Sequence, residues 1–365
     1  MFLGVRDLRF AKGRFALTIA VVFLLSLMVV MLSGLTAGLG NRSVAAVQGM
    51  GADRFAFAPP PDGQSLSFSD SRVTAAHRDA VAAQPGVAQA AIVGIAPTRL
   101  TVVGAEPTEG RTSRREVGAS AFGVDGSSFA APVPLRAGTI AVERTLAESN
   151  GLTVGQRVEA GGRTFTVTAL VDDSFHSHQP VVWFDRGDWS ALPASGDSDG
   201  TVLALRTSTG FDAAATAAAT GTVITDVSGA FDAIGGYRSE RGSLLLVQAL
   251  LLIVSALVVG TFFTVWTVQR ARDVAVLKAV GASTGYLLRD ALGQVLVVLV
   301  LGAGLGTLTA VALGTVAAQA VPFTLTVTGT LLPFLAVIAL GLLGTAAALV
   351  RVVSVAPLTA LGATH

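Results

Sequence analysis

Residues 16–39 read ALTIAVVFLLSLMVVMLSGLTAGL, an apolar run with no charged side chain between Arg14 and Arg42. About 20 residues of this kind are needed to cross the hydrocarbon core of a bilayer as a helix. Three further runs satisfy the same requirement, and they are Ser243–Val268, Ala291–Ala318 and Leu331–Val350. The sequence therefore predicts a membrane protein with four transmembrane helices.

The composition agrees with this prediction. Charged residues make up only 13% of the chain, whereas soluble domains carry about 25%. The chain contains no cysteine, which excludes disulfides, thiolate metal sites and a thiol nucleophile. Basic residues before the first apolar run would suit a cleaved signal peptide. However, the run is longer than a signal sequence needs and no A-x-A site follows it, so we predict an uncleaved helix.

The distribution of basic residues predicts how the chain is oriented. The basic residues nearest the apolar runs precede the first, lie between the second and third, and follow the fourth. By the positive-inside rule, the N terminus, residues 269–290 and the C terminus are cytoplasmic. Residues 41–242 and 319–330 then lie outside. We expect a multi-pass protein of the plasma membrane.

The third apolar run is rich in glycine. Glycine permits close approach of membrane helices, but it is also simply common in them, and both interpretations stay open. The residues concerned are Gly293, Gly302, Gly304, Gly306 and Gly314.

Residues 41–242 have the composition of a soluble domain in which strands and helices are mixed. The Gly161-Gly162 pair between two alternating segments predicts a two-residue hairpin turn. Gly151 is expected to end a short helix over Glu143–Asn150, because the residue after a helix often needs positive φ. Another helix is predicted over Asp212–Thr220, which is alanine-rich. Strands are predicted at Ala91–Ile95, Leu100–Val103, Thr139–Val142, Gln156–Ala160 and Arg163–Leu170.

Two histidines in this domain raise the question of a metal site. His176 and His178 would face the same way on a strand, and Asp172 and Asp173 are close in sequence. A zinc site needs three or four protein ligands, and the spacing offers no third. We therefore favour a solvated loop between strands and predict no metal site and no catalytic site.

The loop after the second apolar run carries the most specific pattern in the chain. Residues 268–283 read VQRARDVAVLKAVGAS. Val274, Leu277 and Val280 repeat at helical spacing, and Gly281 ends the pattern. A helix this short is marginal alone, so it needs a membrane surface or a partner to dock on.

This segment resembles the motif of the FtsX/MacB-type permeases of ABC transporters, which has the form Arg-x-x-(Glu/Asp)-(hydrophobic)-Ala-(hydrophobic)-Leu-(Lys/Arg)-Ala-(hydrophobic)-Gly-Ala. The resemblance extends over nearly the whole chain. Residues 3–17 are similar to the family's amphipathic N-terminal helix, residues 141–158 to its helix–Gly–hairpin unit, and residues 351–361 to its tail. One departure is Ala356, where the family often has Asp before the proline.

The resemblance implies a non-catalytic subunit. The chain lacks the G-x-x-x-x-G-K-[ST] loop that cradles phosphates. ATP and Mg²⁺ would therefore bind to a separate cytoplasmic ABC ATPase, present in two copies, and this chain would form a homodimer in membrane lipid. No permanently bound cofactor and no nucleic-acid partner is expected. The residues that would couple the permease to the ATPase are Arg270, Arg272, Asp273, Val274, Leu277, Lys278, Val280 and Gly281.

The predicted fold class is a four-helix membrane protein with a mixed α+β extracytoplasmic domain like that of MacB. The predicted domains are a cytoplasmic amphipathic helix (1–15), four transmembrane helices (16–40, 243–268, 291–318 and 331–350), the extracytoplasmic domain (41–242), a cytoplasmic coupling helix and loop (269–290), a short outside loop (319–330) and a cytoplasmic tail (351–365).

Within the family, the chain is most similar to the haem-exporter permeases of Gram-positive bacteria, so haem is the expected transported substrate. MacB-like or lipoprotein-release-like export of peptides or lipidated proteins stays an alternative. A second alternative is an FtsX-like regulator of an outside hydrolase. A haem site would need an apolar slot, an axial ligand and cations for the propionates. The residues that we nominate for it are Met28, Met31, Arg42, Tyr237, Arg238, Glu240 and Arg241, although each also suits ordinary packing or anchoring at the membrane interface.

Overall fold

The computed structural model describes residues 12–103, 114–196, 198–269, 280–281 and 283–353. These residues fall into two compact units. The helical unit comprises residues up to Leu39 together with those from Gly242 onward, and the sheet unit comprises Gly40–Arg241. Helices of the described residues are α1 (Lys12–Gly49), α2 (Ala75–Ala82), α3 (Arg144–Ser149), α4 (Arg186–Ser190), α5 (Ala213–Thr220), α6 (Val227–Asp232), α7 (Tyr237–Gln269), α8 (Thr284–Ala317) and α9 (Val327–Val353).

Four of these helices are long and apolar enough to cross a membrane, which confirms the predicted number. The stretches that meet this criterion are Phe15–Gly49 in α1, Tyr237–Trp266 in α7, Arg289–Ala317 in α8 and Val327–Ala347 in α9.

Small residues allow the helices of the helical unit to pack closely. A Cβ atom added at Gly302 would come within 2.8 Å of the Val22 Cβ atom, and one added at Gly306 within 3.0 Å of the Ser26 Cβ atom. In contrast, a Cβ atom at Gly293 would have no neighbour within 4 Å. Some glycines of α8 therefore permit close contact with α1, whereas Gly293 faces open space.

The loop between α8 and α9 contacts α1 around Gly34. The Phe323 ring is buried and lies against Gly34 and Gly314, where side chains would overlap it. The Thr324 amide donates a hydrogen bond to the Gly34 carbonyl at 3.1 Å. These contacts tie the loop to α1 within the helical unit.

The sheet unit is built on one ten-stranded mixed sheet. The strand order is β10-β1-β9-β2-β3-β8-β4-β6-β5, and β7 pairs with β8 outside this path. The strands are β1 (Arg54–Phe57), β2 (Val87–Val103), β3 (Arg114–Val124), β4 (Thr139–Glu143), β5 (Arg157–Ala160), β6 (Arg163–Val171), β7 (Phe175–His176), β8 (Gln179–Asp185), β9 (Val202–Thr207) and β10 (Val223–Asp226).

Strand β2 belongs to two parts of this sheet. Its first half pairs with β9, from Val87 to Val93, whereas Leu100–Val102 pair with β5 at the opposite end of the strand order. The second pairing closes β2, β3, β8, β4, β6 and β5 into a six-stranded barrel. Side chains from all six strands form one hydrophobic cluster, which includes Leu100, Ala121, Ile140, Val158, Phe165 and Val182.

The other face of the sheet is buried by the ends of the long helices. Alternate residues along a strand point to opposite faces, so Val182 packs in the barrel cluster while its neighbours Val181 and Trp183 pack in a second cluster. That second cluster contains Val44 and Val47 from α1 and Tyr237 from α7. The sheet is therefore covered on both faces.

Local sequence signals placed several elements correctly. Gly161 and Gly162, with φ of 55° and 78°, form the turn between β5 and β6, as predicted. The helix after Glu143 ends at Ser149, with Gly151 at a φ of 65°. The predicted helix over 212–220 corresponds to α5, and Asp212 caps it by accepting from the Ala214 and Ala215 amides.

Candidate functional site

The turn between β7 and β8 has an unusual backbone. Among the described residues, three that are not glycine have positive φ, and two of them, Ser177 at 48° and His178 at 63°, form this turn. A two-residue turn with positive φ at both positions normally takes Asn-Gly. A side chain in this conformation costs roughly 1 to 2 kcal/mol per residue, so the turn holds two residues at an energetic cost.

This turn is bonded to α1 through the main chain. The Ser177 amide donates to the Ser43 carbonyl at 3.0 Å, and the His178 amide donates to the Arg42 carbonyl at 3.1 Å. The Arg42 guanidinium lies over the Phe175 ring, 4.9 Å from its centroid. Strand β7 and the turn are therefore fixed to one segment of α1.

The His178 ring extends this connection to α7. Its Nε2 atom is 3.1 Å from the Ser43 hydroxyl and 2.7 Å from a carboxylate oxygen of Glu240. Both the His178 and the Glu240 side chain are about one-third exposed. The structure thus brings together two residues nominated from the sequence, Arg42 and Glu240, around a histidine that was not nominated. We call Ser43, His178 and Glu240 the histidine clasp.

The remaining nominated residues of the sheet unit have separate surroundings. Tyr237 is buried, and its ring meets Phe231 edge-on, so it belongs to the second hydrophobic cluster. Arg238 forms an exposed ion pair with Asp232 at 2.9 Å. Arg241 is exposed.

The two nominated methionines lie on α1 in the helical unit. Met28 is 54% exposed, whereas Met31 is half-buried. The Met28 side chain therefore lies on the surface of the helical unit.

His176 does not lie in a solvated loop, and that prediction is wrong. Its ring is buried in β7, edge-on to Phe68 and Phe122 at centroid distances of 5.6 and 5.3 Å. Its Nδ1 atom has no hydrogen-bond partner among the described residues. Burial lowers the pKa of His176 to about 4. Since His178 points to Ser43 and Glu240 instead, the two histidines do not share a ligand site.

The coupling segment lies mostly outside the described residues. Arg270, Arg272, Asp273, Val274, Leu277 and Lys278 fall there. Val280 is 83% exposed, and Gly281 has a φ of 101°. A glycine at such a φ is consistent with a turn that ends the segment before α8.

Comparison with family models covers both units. The MacB-like periplasmic core domain matches residues 15–223, and the FtsX-like permease C-terminal domain matches residues 245–357. The chain belongs to the FtsX/MacB-type permeases of ABC transporters. The family matches also confirm the predicted fold class, with membrane helices combined with a MacB-like domain.

Individual permeases match over nearly the whole of both chains. The chain is 22% identical to the putative hemin transport system permease protein HrtB of Staphylococcus haemolyticus, over 99% of each chain. It is 30% identical to an uncharacterized ABC transporter permease of Mycobacterium tuberculosis H37Rv, also over 99% of each. A solved structure, the periplasmic region of MacB from Actinobacillus actinomycetemcomitans, matches with a TM-score of 0.35 and 13% identity, over 52% of this chain and 96% of that one.

Membership of this permease family has one direct consequence for partners. A permease of an ABC transporter works with an ATPase subunit, and this chain has no phosphate-binding loop of its own.

Proposed function

We propose that this chain is the permease subunit of a haem exporter of the plasma membrane, driven by a separate ATPase. The observation that carries the proposal is the likeness to putative hemin transport permeases over 99% of both chains. Because the match includes all four apolar helices and the sheet unit together, it concerns the whole architecture. The identity of 22% makes haem the point to be tested.

The residues nominated for haem fall into two groups, and each group is proposed separately as a candidate for binding haem. In the helical unit, Met28 and Met31 offer thioethers, which are known axial ligands of haem iron. In the sheet unit, Arg42, Arg238 and Arg241 offer guanidinium groups, which bind carboxylates such as the haem propionates. Tyr237 and Glu240 complete the group nominated from the sequence.

The methionines can be tested by spectroscopy. Purified full-length protein should show a Soret band when haem is added, and the band should weaken in the Met28→Leu/Met31→Leu double variant. Met50→Leu is the matched control, because Met50 is buried in the sheet unit. If the double variant binds haem as the wild type does, the methionines are not ligands.

Force is proposed to enter through the coupling segment. In this proposal a homodimer carries two copies of Arg270–Gly281, each docked on a cytoplasmic ATPase, and both termini are cytoplasmic. ATP-driven closure of the ATPases would then move α1 and α7 and, through them, the sheet unit. Haem would leave from the membrane without a channel through the bilayer.

Two equally exposed valines allow a controlled test of this coupling. Val280 is 83% exposed and Val327 is 81% exposed, but Val280 belongs to the coupling segment and Val327 begins α9. We expect Val280→Asp and Leu277→Asp to abolish co-purification with the ATPase, while Val327→Asp retains it. Retention by all three variants would contradict the proposed docking.

The histidine clasp bears on how such force would reach the sheet unit. It connects α1, α7 and the β7–β8 turn through two contacts of 3.1 Å or less. Both helices also contain a membrane-length apolar stretch.

A further inference from the structure

We infer that the His178 side chain is a positioning residue that fastens the ends of α1 and α7 within the sheet unit to the β7–β8 turn. The inference rests on the proposed transmission of force from an ATPase. It assigns the mechanical connection to the histidine clasp of Ser43, His178 and Glu240.

The first observation is that turn geometry does not explain the residue at position 178. A two-residue turn with positive φ at both positions is formed with least strain by Asn-Gly. Here Ser177 and His178 occupy it, at φ of 48° and 63°. Strained backbone of this kind persists where the surroundings hold it in place, and it is concentrated at functional positions. Something other than the turn must therefore account for the histidine.

The second observation is that the imidazole contacts both long helices at once. One nitrogen, Nε2, lies 3.1 Å from the Ser43 hydroxyl on α1 and 2.7 Å from the Glu240 carboxylate on α7. Glycine at position 178 would relieve the strain of the turn but would remove the hydrogen bond to Glu240 on α7. The side chain thus supplies a connection that the main chain cannot.

The third observation is that the two helices depend on the clasp to different degrees. The turn is bonded to α1 by two further main-chain hydrogen bonds, from Ser177 to Ser43 and from His178 to Arg42. With α7, the turn is connected through the His178–Glu240 contact. Loss of the imidazole should therefore release α7 from the turn more than α1.

Two arginines near Glu240 have other partners. Arg238, on the same helix, is paired with Asp232, and Arg42 lies over the Phe175 ring. The contact joins residues 62 positions apart, so it connects elements that are remote in the chain.

Two glycine variants of the turn separate a mechanical role from a structural one. Both His178→Gly and Ser177→Gly relieve backbone strain, and in His178→Gly this relief offsets the lost hydrogen bond to Glu240. The free energy of unfolding of the sheet unit should therefore stay close to that of the wild type in either variant. Only His178→Gly removes the imidazole. A residue that merely stabilised the fold would not lower transport while stability is unchanged or raised.

The connection can be measured directly in the full-length protein in nanodiscs. The chain has no native cysteine, so spin labels can be placed within the sheet unit at the exposed Arg241→Cys on α7 and at the exposed Arg157→Cys on β5. We expect one narrow distance distribution in the wild type and in Ser177→Gly. In His178→Gly the population of displaced distances should rise about tenfold, as expected for loss of a hydrogen bond to a charged group.

A cellular assay gives the second readout. In cells that produce the chain with its ATPase, His178→Gly should lower ATP-dependent haem tolerance and Ser177→Gly should not. An unchanged distance distribution in His178→Gly would overturn the inference. If the wild type confers no haem tolerance, the haem proposal fails, and the distance measurement still decides whether His178 holds α7.

Discussion

Replacing His176 by leucine is expected to remove about 2 kcal/mol from the difference in unfolding free energy of the sheet unit between pH 7.5 and pH 5. The wild-type ring is enclosed by Phe68 and Phe122, and its Nδ1 atom has no partner among the described residues. Burial therefore lowers the pKa of His176 from its ordinary value of 6.5 to about 4.

The sign follows from proton binding in the two states. Between pH 6.5 and pH 4 the unfolded chain protonates His176, whereas the folded chain keeps the ring neutral. Stability therefore falls as the pH falls through this window. Each pKa unit corresponds to about 1.36 kcal/mol, so the complete loss approaches about 3 kcal/mol, of which about 2 kcal/mol occurs between pH 7.5 and pH 5.

Urea unfolding followed by tryptophan fluorescence measures this effect in full-length protein. The chain has three tryptophans, and a Trp266→Phe background leaves Trp183 and Trp189, both buried in the sheet unit. His176→Leu should be at least as stable as the parent at pH 7.5, because it replaces an unpartnered polar atom by an apolar one.

A control variant separates the pH effect from loss of packing. Val181→Ala removes a fully buried side chain of β8, so it should lower stability at pH 7.5 and at pH 5 by the same amount. If His176→Leu kept the pH dependence of the parent, the assignment of that dependence to His176 would be refuted.

Two further predictions concern the helical unit. Gly306→Ala should lower its thermal stability by about 1 to 3 kcal/mol, because the added methyl group meets α1, and Gly304→Ala, with free space around it, should leave the melting temperature unchanged. Val280→Cys should resist a membrane-impermeant maleimide in intact cells and Val327→Cys should react, as the predicted cytoplasmic and outside positions require; labelling of Val280→Cys in sealed cells would reverse the orientation.

Local chemistry explains which parts of the fold were predictable. A membrane-length apolar run and the Gly161-Gly162 turn depend only on residues that are neighbours in the chain. They can therefore be predicted from the sequence. The pairing of Leu100–Val102 with β5 cannot, because it depends on strands that lie more than fifty residues apart in the chain. Closure of the barrel was therefore not predicted.

The candidate site shows the same limit. A solvated loop was predicted at His176 because the spacing offered no third metal ligand, but Phe68 and Phe122 enclose the ring from distant parts of the chain. Arg42 and Glu240 were nominated for haem, and their shared neighbour His178 was passed over because its positive φ and its contact with Glu240 depend on tertiary structure. The family, in contrast, could be named from short segments of the sequence, of which the motif at 268–283 is the most specific.

Strand β2 couples the stability of the open part of the sheet to that of the closed barrel. Since one continuous strand supplies hydrogen bonds to the open part of the sheet and to the closed barrel, neither part can lose its order without breaking a strand of the other. We therefore expect the sheet unit to melt in a single cooperative transition, with amides of β2 among the slowest to exchange with solvent.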